Sequence, residues 1–267
     1  MLKGHSVSQS TVHRYLTKEK GVKSYKRQRQ PLITEKNMAA RLKFCKERIN
    51  WTANDWKNIL FTDESPFELN HPPNGKNDCV WARNTLDVEP VQMVKFPKKI
   101  QVWGMMSHRA LSELHFIPVG QTVSAEYYVS EILGKTLMST MNRKRGRCTV
   151  VERKMLKNMS RAIFQQDGAA AHTANMTQNW LRSNLKSFWA KGTWPANSPD
   201  LSPIENIWSI LKDDLDSIGE IKDIKMLENR LKTAWSNISP EVLDKLMDGM
   251  PKRIHKCIEL SGGYIGN

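Results

Sequence analysis

Hydrophobic positions recur at helical spacing ahead of residue 54 and gather into short apolar runs after it. In TEKNMAARLKFCKERI (34–49), Met38, Leu42, Cys45 and Ile49 fall three or four residues apart, behind Thr34 as N-cap. That pattern predicts a helix. A shorter helix is predicted over 6–17, capped by Ser8, with Val12 and Leu16 on one side. Between the two, KEKGVKSYKRQRQP (18–31) carries six Lys/Arg in fourteen residues and reads as a linker. The division is therefore 1–20, a basic linker with a helix over 21–54, and a main domain over 55–267.

In the main domain, KNILFTDES (57–65) is an apolar run ending in acids and predicts a buried strand. KIQVWGMMS (99–107) and LSELHFIPV (111–119) predict two more strands, paired across HRA. RAIFQQDG (161–168) predicts a fourth, and SFWAKGTWP (187–195) a fifth. Helices are expected over 124–133, 173–185, 203–218 and 221–237, with a last one from Ser239-Pro240 to Gly262-Gly263. Strands followed by alternating helices and strands indicate an α/β fold with a mixed sheet.

Charge adds a partner. The net charge is +14 and it is concentrated. Residues 1–57 hold 14 Lys/Arg against 4 Asp/Glu, and residues 135–161 hold 9 against 1. Two dense basic segments favour a polyanion, nucleic acid above all. Neither alternates with a strong apolar stripe, so a membrane surface is not the expected partner. No run of 18 apolar residues occurs, and MLKGHSVSQS lacks the apolar stretch of a secretory signal. Four scattered cysteines with no CxxC pair read as reduced thiols of a cytosolic or nuclear protein.

Candidate chemistry lies in three acids. Asp63 and Asp167 each follow an apolar strand and open a loop. Adjacent strands would bring both carboxylates to one sheet edge, where they repel unless a cation lies between them. Oxygen ligands of this kind suit Mg²⁺ or Mn²⁺. Glu205 ends WPANSPDLSPIE, a stretch stiffened by Pro195, Pro199 and Pro203. Ser202-Pro203-Ile204-Glu205 fits a capping box, and the same geometry suits a rigidly placed third ligand.

The blocks LFTDES, FQQDGAAAHTA and WPANSPDLSPIENIW, in this order, resemble the three catalytic blocks of Tc1/mariner transposases. The resemblance extends to VKFPKKIQVWGMMS and RQPLITEKNMAARLKFCKE, and so covers nearly the whole chain. It implies an RNase H-like α/β fold, a mixed five-stranded sheet flanked by helices. It makes Asp63, Asp167 and Glu205 the catalytic, metal-holding triad, with Glu205 marking the Tc1-like form. The gap between the last two acids, 168–204, is 37 residues, longer than is commonest in the family, and Gly168 stands where many relatives have Asn. The resemblance further implies two Mg²⁺ or Mn²⁺ ions, with Asp63 bridging them. It implies excision of an element from double-stranded DNA, joining of its ends to a TA dinucleotide, and a homodimer on paired ends.

SVSQSTVHRYL resembles the last helix of the family's second helix-turn-helix unit, so residues 1–20 are expected to be a remnant of a DNA-binding domain. Ser10, His13 and Arg14 there, with Lys23, Lys26, Arg27 and Arg29 after it, are the expected DNA contacts. KRQRQ (26–30) suits a nuclear import signal or a DNA-backbone contact, and the expected location is the nucleus. His172 is expected to orient the loop after Asp167 or to contact phosphate, Asp200 to cap a turn, and Asp213 and Asp214 to be solvated. Two other readings stay open: an RNase H-like metal-dependent nuclease, and a transposon-derived DNA-binding protein without catalysis.

Overall fold

The computed structural model describes residues 8–20, 32–69, 98–142, 144–145, 148–149, 161–216 and 221–266. It falls into two compact units, Met1–Pro31 and Leu32–Asn267. In the first, Ser8 Oγ accepts from Thr11 N at 3.2 Å and caps α1 (Gln9–Arg14), which runs on as a wider π-type turn over Tyr15–Glu19. Every described residue of this unit is exposed, Val12 and Leu16 included.

The second unit already includes residues 32–54, which the sequence pattern assigned to a linker. Thr34 caps α2 (Glu35–Lys46) as expected. The buried stripe is not the predicted one, however: it runs Arg41, Phe44, Cys45 and Arg48, while Ile49 is exposed. Two arginines can lie inside because each has partners. Arg41 meets a carboxylate, and the Arg48 guanidinium lies 3.9 Å from the centre of the Phe44 ring. After α2 comes the single turn α3 (Ala53–Trp56).

The sheet has the order β3–β2–β1–β6. β1 (Ile59–Glu68) is antiparallel to β2 (Lys99–Met106), which is antiparallel to β3 (His115–Ile117). On its other side β1 pairs in parallel with β6 (Ile163–Gln165), with Phe61 opposite Gln165. The mixed sheet is as expected; among the described residues it has four strands, where five were expected. The fifth segment touches β6 at a single bridge, Phe164 to Phe188, held by Phe164 N to Ser187 O at 3.1 Å and Trp189 N to Phe164 O at 2.9 Å. Lys191–Gly192 turns the chain away directly afterwards, so no ladder can grow. A separate ribbon pairs β4 (Lys144–Arg145) with β5 (Cys148–Thr149).

Alternation along β1 sends successive side chains to opposite layers. Ile59 and Phe61 enter a core shared with α2 and with α8 (Ile204–Asp216), α9 (Ile224–Asn237), α10 (Pro240–Asp248) and α11 (Met250–Glu259). Leu60 enters a second core with Tyr128, Ile132, Leu133 and Leu137. Those four lie on a helical run that is longer than predicted: α4 (Ala125–Tyr127), π-type turns over Tyr128–Leu137, and α5 (Met138–Asn142). Leu181 of α7 (Asn175–Asn184) joins them, just after the short α6 (Ala170–Thr173). The single helix expected after Ser239 is two, because Pro251 follows Gly249 closely and has no N–H to continue α10.

Candidate active site

The period of two along β1 does more than fill two cores. Asp63 shares the parity of Phe61 and faces α8; Glu64 shares the parity of Leu60 and faces the opposite layer. Trp208 Nε1, on α8, donates to Asp63 Oδ2 at 3.2 Å. Glu205 lies three residues earlier on that helix, hence on the same face, and its charge bears on the Asp63 carboxyl. Asp167 follows β6, the parallel neighbour of β1. The three acids thus come from a strand, a strand end and a first helical turn, and all line one cleft of about 400 Å³. Its far wall is the whole segment from Trp194 to Pro199.

Close approach on the sheet makes this possible. Gly104 of β2 lies opposite Asp63. A Cβ there would stand 2.7 Å from Trp235 Cη2 and 2.9 Å from Trp208 Cη2. The missing side chain is the space into which the stacked pair Trp208–Trp235 fits, 5.1 Å between centres. Packing of that pair carries Trp208 Nε1 to Asp63.

The segment before Glu205 is held by Arg41. Its guanidinium donates to Asp200 Oδ1 at 2.7 Å and Oδ2 at 2.6 Å, and to the carbonyls of Asn197 (3.2 Å), Gly262 (2.8 Å) and Gly263 (3.0 Å). Asn197 sits in the left-handed region at φ 52°, which Asn tolerates better than most residues. Asp200 is therefore a buried anchor rather than the turn cap expected of it; it also accepts from Ile265 N at 2.9 Å. Ser202 contributes its carbonyl, which accepts from Glu205 N at 3.3 Å, while the Glu205 carboxyl lines the cleft. The capping-box geometry has been turned toward the cleft.

Electrostatics separates the acids. Burial, then the charges of Glu205, Glu64 and Asp167, raise the Asp63 carboxyl well above its ordinary range. Burial also raises Glu205, against the pull of Lys212. Asp167 goes the other way: burial works to raise it, but the hydrogen bond and charge of His172 and the Ala169 N–H outweigh burial and leave it lowered. His172 Nδ1 stands 2.5 Å from Asp167 Oδ1, and its Nε2 3.2 Å from Glu64 Oε1. Burial works to lower the imidazole, but the two carboxylates overcome it and lift it to about 10.

Among the described residues, no group of three or more His, Cys, Asp or Glu side chains is already gathered as a metal cage. Asp63 accepts from Trp208, and Asp167 bonds His172. The donor set nonetheless fits a hard divalent cation: three carboxylates around one cleft, two of them raised first by burial and further by neighbouring carboxylate charge.

Of the other expected residues, Ser10, His13 and Arg14 are exposed on α1. Lys23, Lys26, Arg27 and Arg29 lie outside the described residues. Asp213 and Asp214 are exposed on α8. Trp208, Arg41 and Glu64 were missed from the sequence. The spacing E-x-x-W in IENIW was a usable sign for Trp208, since it puts both residues on one helix face.

The comparisons agree with this architecture. Residues 58–228 match a family described as DDE superfamily endonuclease, and residues 1–50 match a helix-turn-helix family described as Transposase. The Tc1 transposable-element transposase of Caenorhabditis elegans is 27% identical over 263 residues, 96% of this chain and 86% of that protein. The Tcb1 transposase of Caenorhabditis briggsae is 27% identical over 240 residues, 88% and 79% of the two chains. In fold, the chain is similar to the Mos1 mariner paired-end complex with Mn, with a TM-score of 0.79 and 19% identity over 97% of this chain and 72% of that one. It is also similar to the catalytic domain of Mos1 alone, with a TM-score of 0.66 and 18% identity over 90% and 100% of the two chains.

Proposed function

This chain belongs to the DDE superfamily endonucleases, in their Tc1/mariner transposase branch, and from that premise we propose that Asp63, Asp167 and Glu205 form its metal-dependent centre for cutting and joining DNA. The observation that carries the proposal is the convergence of these three carboxylates, from β1, the end of β6 and the first turn of α8, on one cleft. Two Mg²⁺ or Mn²⁺ ions bound there supply activation of the attacking oxygen and charge stabilisation of the leaving one.

The chain's own residues then have distinct tasks. Trp208 fixes the rotamer of Asp63 through Oδ2. Arg41, through Asp200 and Asn197, keeps the wall of the cleft in one conformation, so that Glu205 arrives in a set place. In the first reaction water attacks the phosphodiester at an element end and expels a 3′-OH. In joining, that 3′-OH attacks a target phosphodiester and expels another. One P–O bond forms and one breaks each time, and no covalent intermediate with the protein is needed.

The finer parts of the proposal are DNA ends as substrate, a TA dinucleotide as target, a homodimer on paired ends, and action in the nucleus. The Mos1 structures of similar fold were solved as a paired-end complex and as a strand transfer complex. The net charge of +14, concentrated in 1–57 and 135–161, and the KRQRQ stretch support a DNA partner and nuclear entry.

The test is cleavage and joining of a duplex taken from the genomic sequence that flanks the reading frame, with a TA-containing plasmid as target. Products are expected with Mg²⁺ or Mn²⁺, and none with excess EDTA, Asp63→Asn or Asp167→Asn. Full activity in EDTA would overturn the metal centre. Metal-dependent cutting without joined products would leave a nuclease in place of a transposase.

A further inference from the structure

We infer that His172 is the positioning residue of Asp167: it grips one carboxylate oxygen from the rear layer of the sheet and leaves the other for the cleft as a one-point metal ligand. This rests on the assignment of Asp167 to the metal centre.

Three sets of contacts carry the inference. First, Asp167 Oδ1 already has two donors, His172 Nδ1 at 2.5 Å and Ala169 N at 2.9 Å. Its capacity is largely taken, whereas Asp167 still lines the cleft. Second, both ring nitrogens of His172 face carboxylates, the second being Glu64 Oε1 at 3.2 Å, which leaves neither to bind a metal itself. Third, His172 is held more firmly than a loop residue needs to be. It is 3% exposed, and its carbonyl accepts from Gln166 Nε2 and from Gln178 Nε2, each at 2.9 Å. The Tyr128 ring lies 4.3 Å from the imidazole, and the Tyr128 hydroxyl donates to Gln166 Oε1 at 3.0 Å.

The strand places Asp63 and Glu64 on opposite faces. Asp63 enters the cleft, and Glu64 backs the histidine that steadies Asp167. One dipeptide thus serves two of the three acids, one of them directly and the other through His172. Partners of this kind orient a ligand, and losing one typically costs metal affinity about 10–100-fold.

The test is Mn²⁺ binding by the full chain, read as free Mn²⁺ by electron paramagnetic resonance, without DNA and without turnover. His172→Asn puts its amide nitrogen near the place of Nδ1 and keeps the bond to Asp167. His172→Gln puts it near the place of Nε2 and keeps only the bond to Glu64. The Asn variant should bind Mn²⁺ within about threefold of the parent, and the Gln variant should lose about tenfold or more. Should His172→Gln fail to fold, His172→Phe replaces it, since the ring still packs on Tyr128 and donates nothing. Equal affinity in parent and Gln variant, or equal loss in folded Asn and Gln variants, overturns the inference. Asp167→Asn separates this from the underlying assignment. If Asp167→Asn binds Mn²⁺ like the parent, the metal centre is misassigned. If it loses Mn²⁺ while His172→Gln keeps it, only the role of His172 fails.

Discussion

Arg41 and Asp200 form a two-point ion pair at 2.7 and 2.6 Å with both side chains fully buried, and they tie α2 to the loop that carries Glu205. A pair so buried is not a large net gain by itself, but removing one partner strands the other charge. Arg41→Met or Asp200→Asn should each cost about 3–5 kcal/mol of unfolding free energy in urea titrations. The double change Arg41→Met with Asp200→Leu should cost less than either single one. A single-variant loss below about 1 kcal/mol would mean the pair behaves like an exposed one.

Gly104 is held to glycine by the two tryptophans, not by its backbone angles. Gly104→Ala should cost about 1–3 kcal/mol through overpacking against Trp208 and Trp235. DNA cleavage should fall further than the loss of folded protein accounts for, because Trp208 Nε1 is moved off Asp63. Trp208→Phe is the matched change: it keeps a ring beside Trp235 and removes the donor, so cleavage should drop by about tenfold or more. Normal cleavage by folded Trp208→Phe would show that Asp63 needs no such partner.

Much of the frame was legible because it follows from simple periods. Apolar runs ending in acids gave β1 and β6, and the stiff Ser202–Glu205 approach gave the start of α8. What the sequence hid has a common cause: side chains whose role depends on distant partners. Arg41 looked like linker charge because its carboxylate lies 159 residues away. Asp200 looked like a turn cap for the same reason. The fifth strand has the apolar composition of a strand, but Lys191–Gly192 turns away before a second bridge can form. His172 was expected to orient its loop or to contact phosphate; its contacts to Asp167 and Glu64 depend on residues 5 and 108 positions away, which no local pattern shows.

Binding of DNA should be strongly salt-dependent, since the basic excess lies in two segments. In gel-shift titrations with a duplex of the flanking genomic sequence, affinity should fall by on the order of 10³ between roughly 50 and 200 mM salt. Changing Arg14 and His13 to Ala together should weaken preference for that sequence over a scrambled duplex, because both are exposed on α1. Affinity independent of salt would remove phosphate contact as the basis of binding.

Glu205→Gln separates the structural from the chemical part of the third acid. Gln keeps the length, the polar head and the backbone contact of Glu205 N with Ser202 O, so α8 should start where it does now. What it removes is a negative charge that lies beside Asp63 and helps to hold that carboxyl above its ordinary range. Without metal, relief of this repulsion should leave the melting temperature at or above that of the parent. With Mn²⁺ the order should reverse, because a cation that stabilises the parent by binding three carboxylates gains less from two. A metal held in place contributes several kcal/mol to the transition state, so cleavage should fall by on the order of 10³ or more. Thermal melts with and without Mn²⁺, beside a cleavage assay, check all three outcomes. A Glu205→Gln protein that cuts DNA like the parent and gains as much stability from Mn²⁺ would leave Glu205 as a helix-starting residue only, with the third ligand to be sought elsewhere along the cleft.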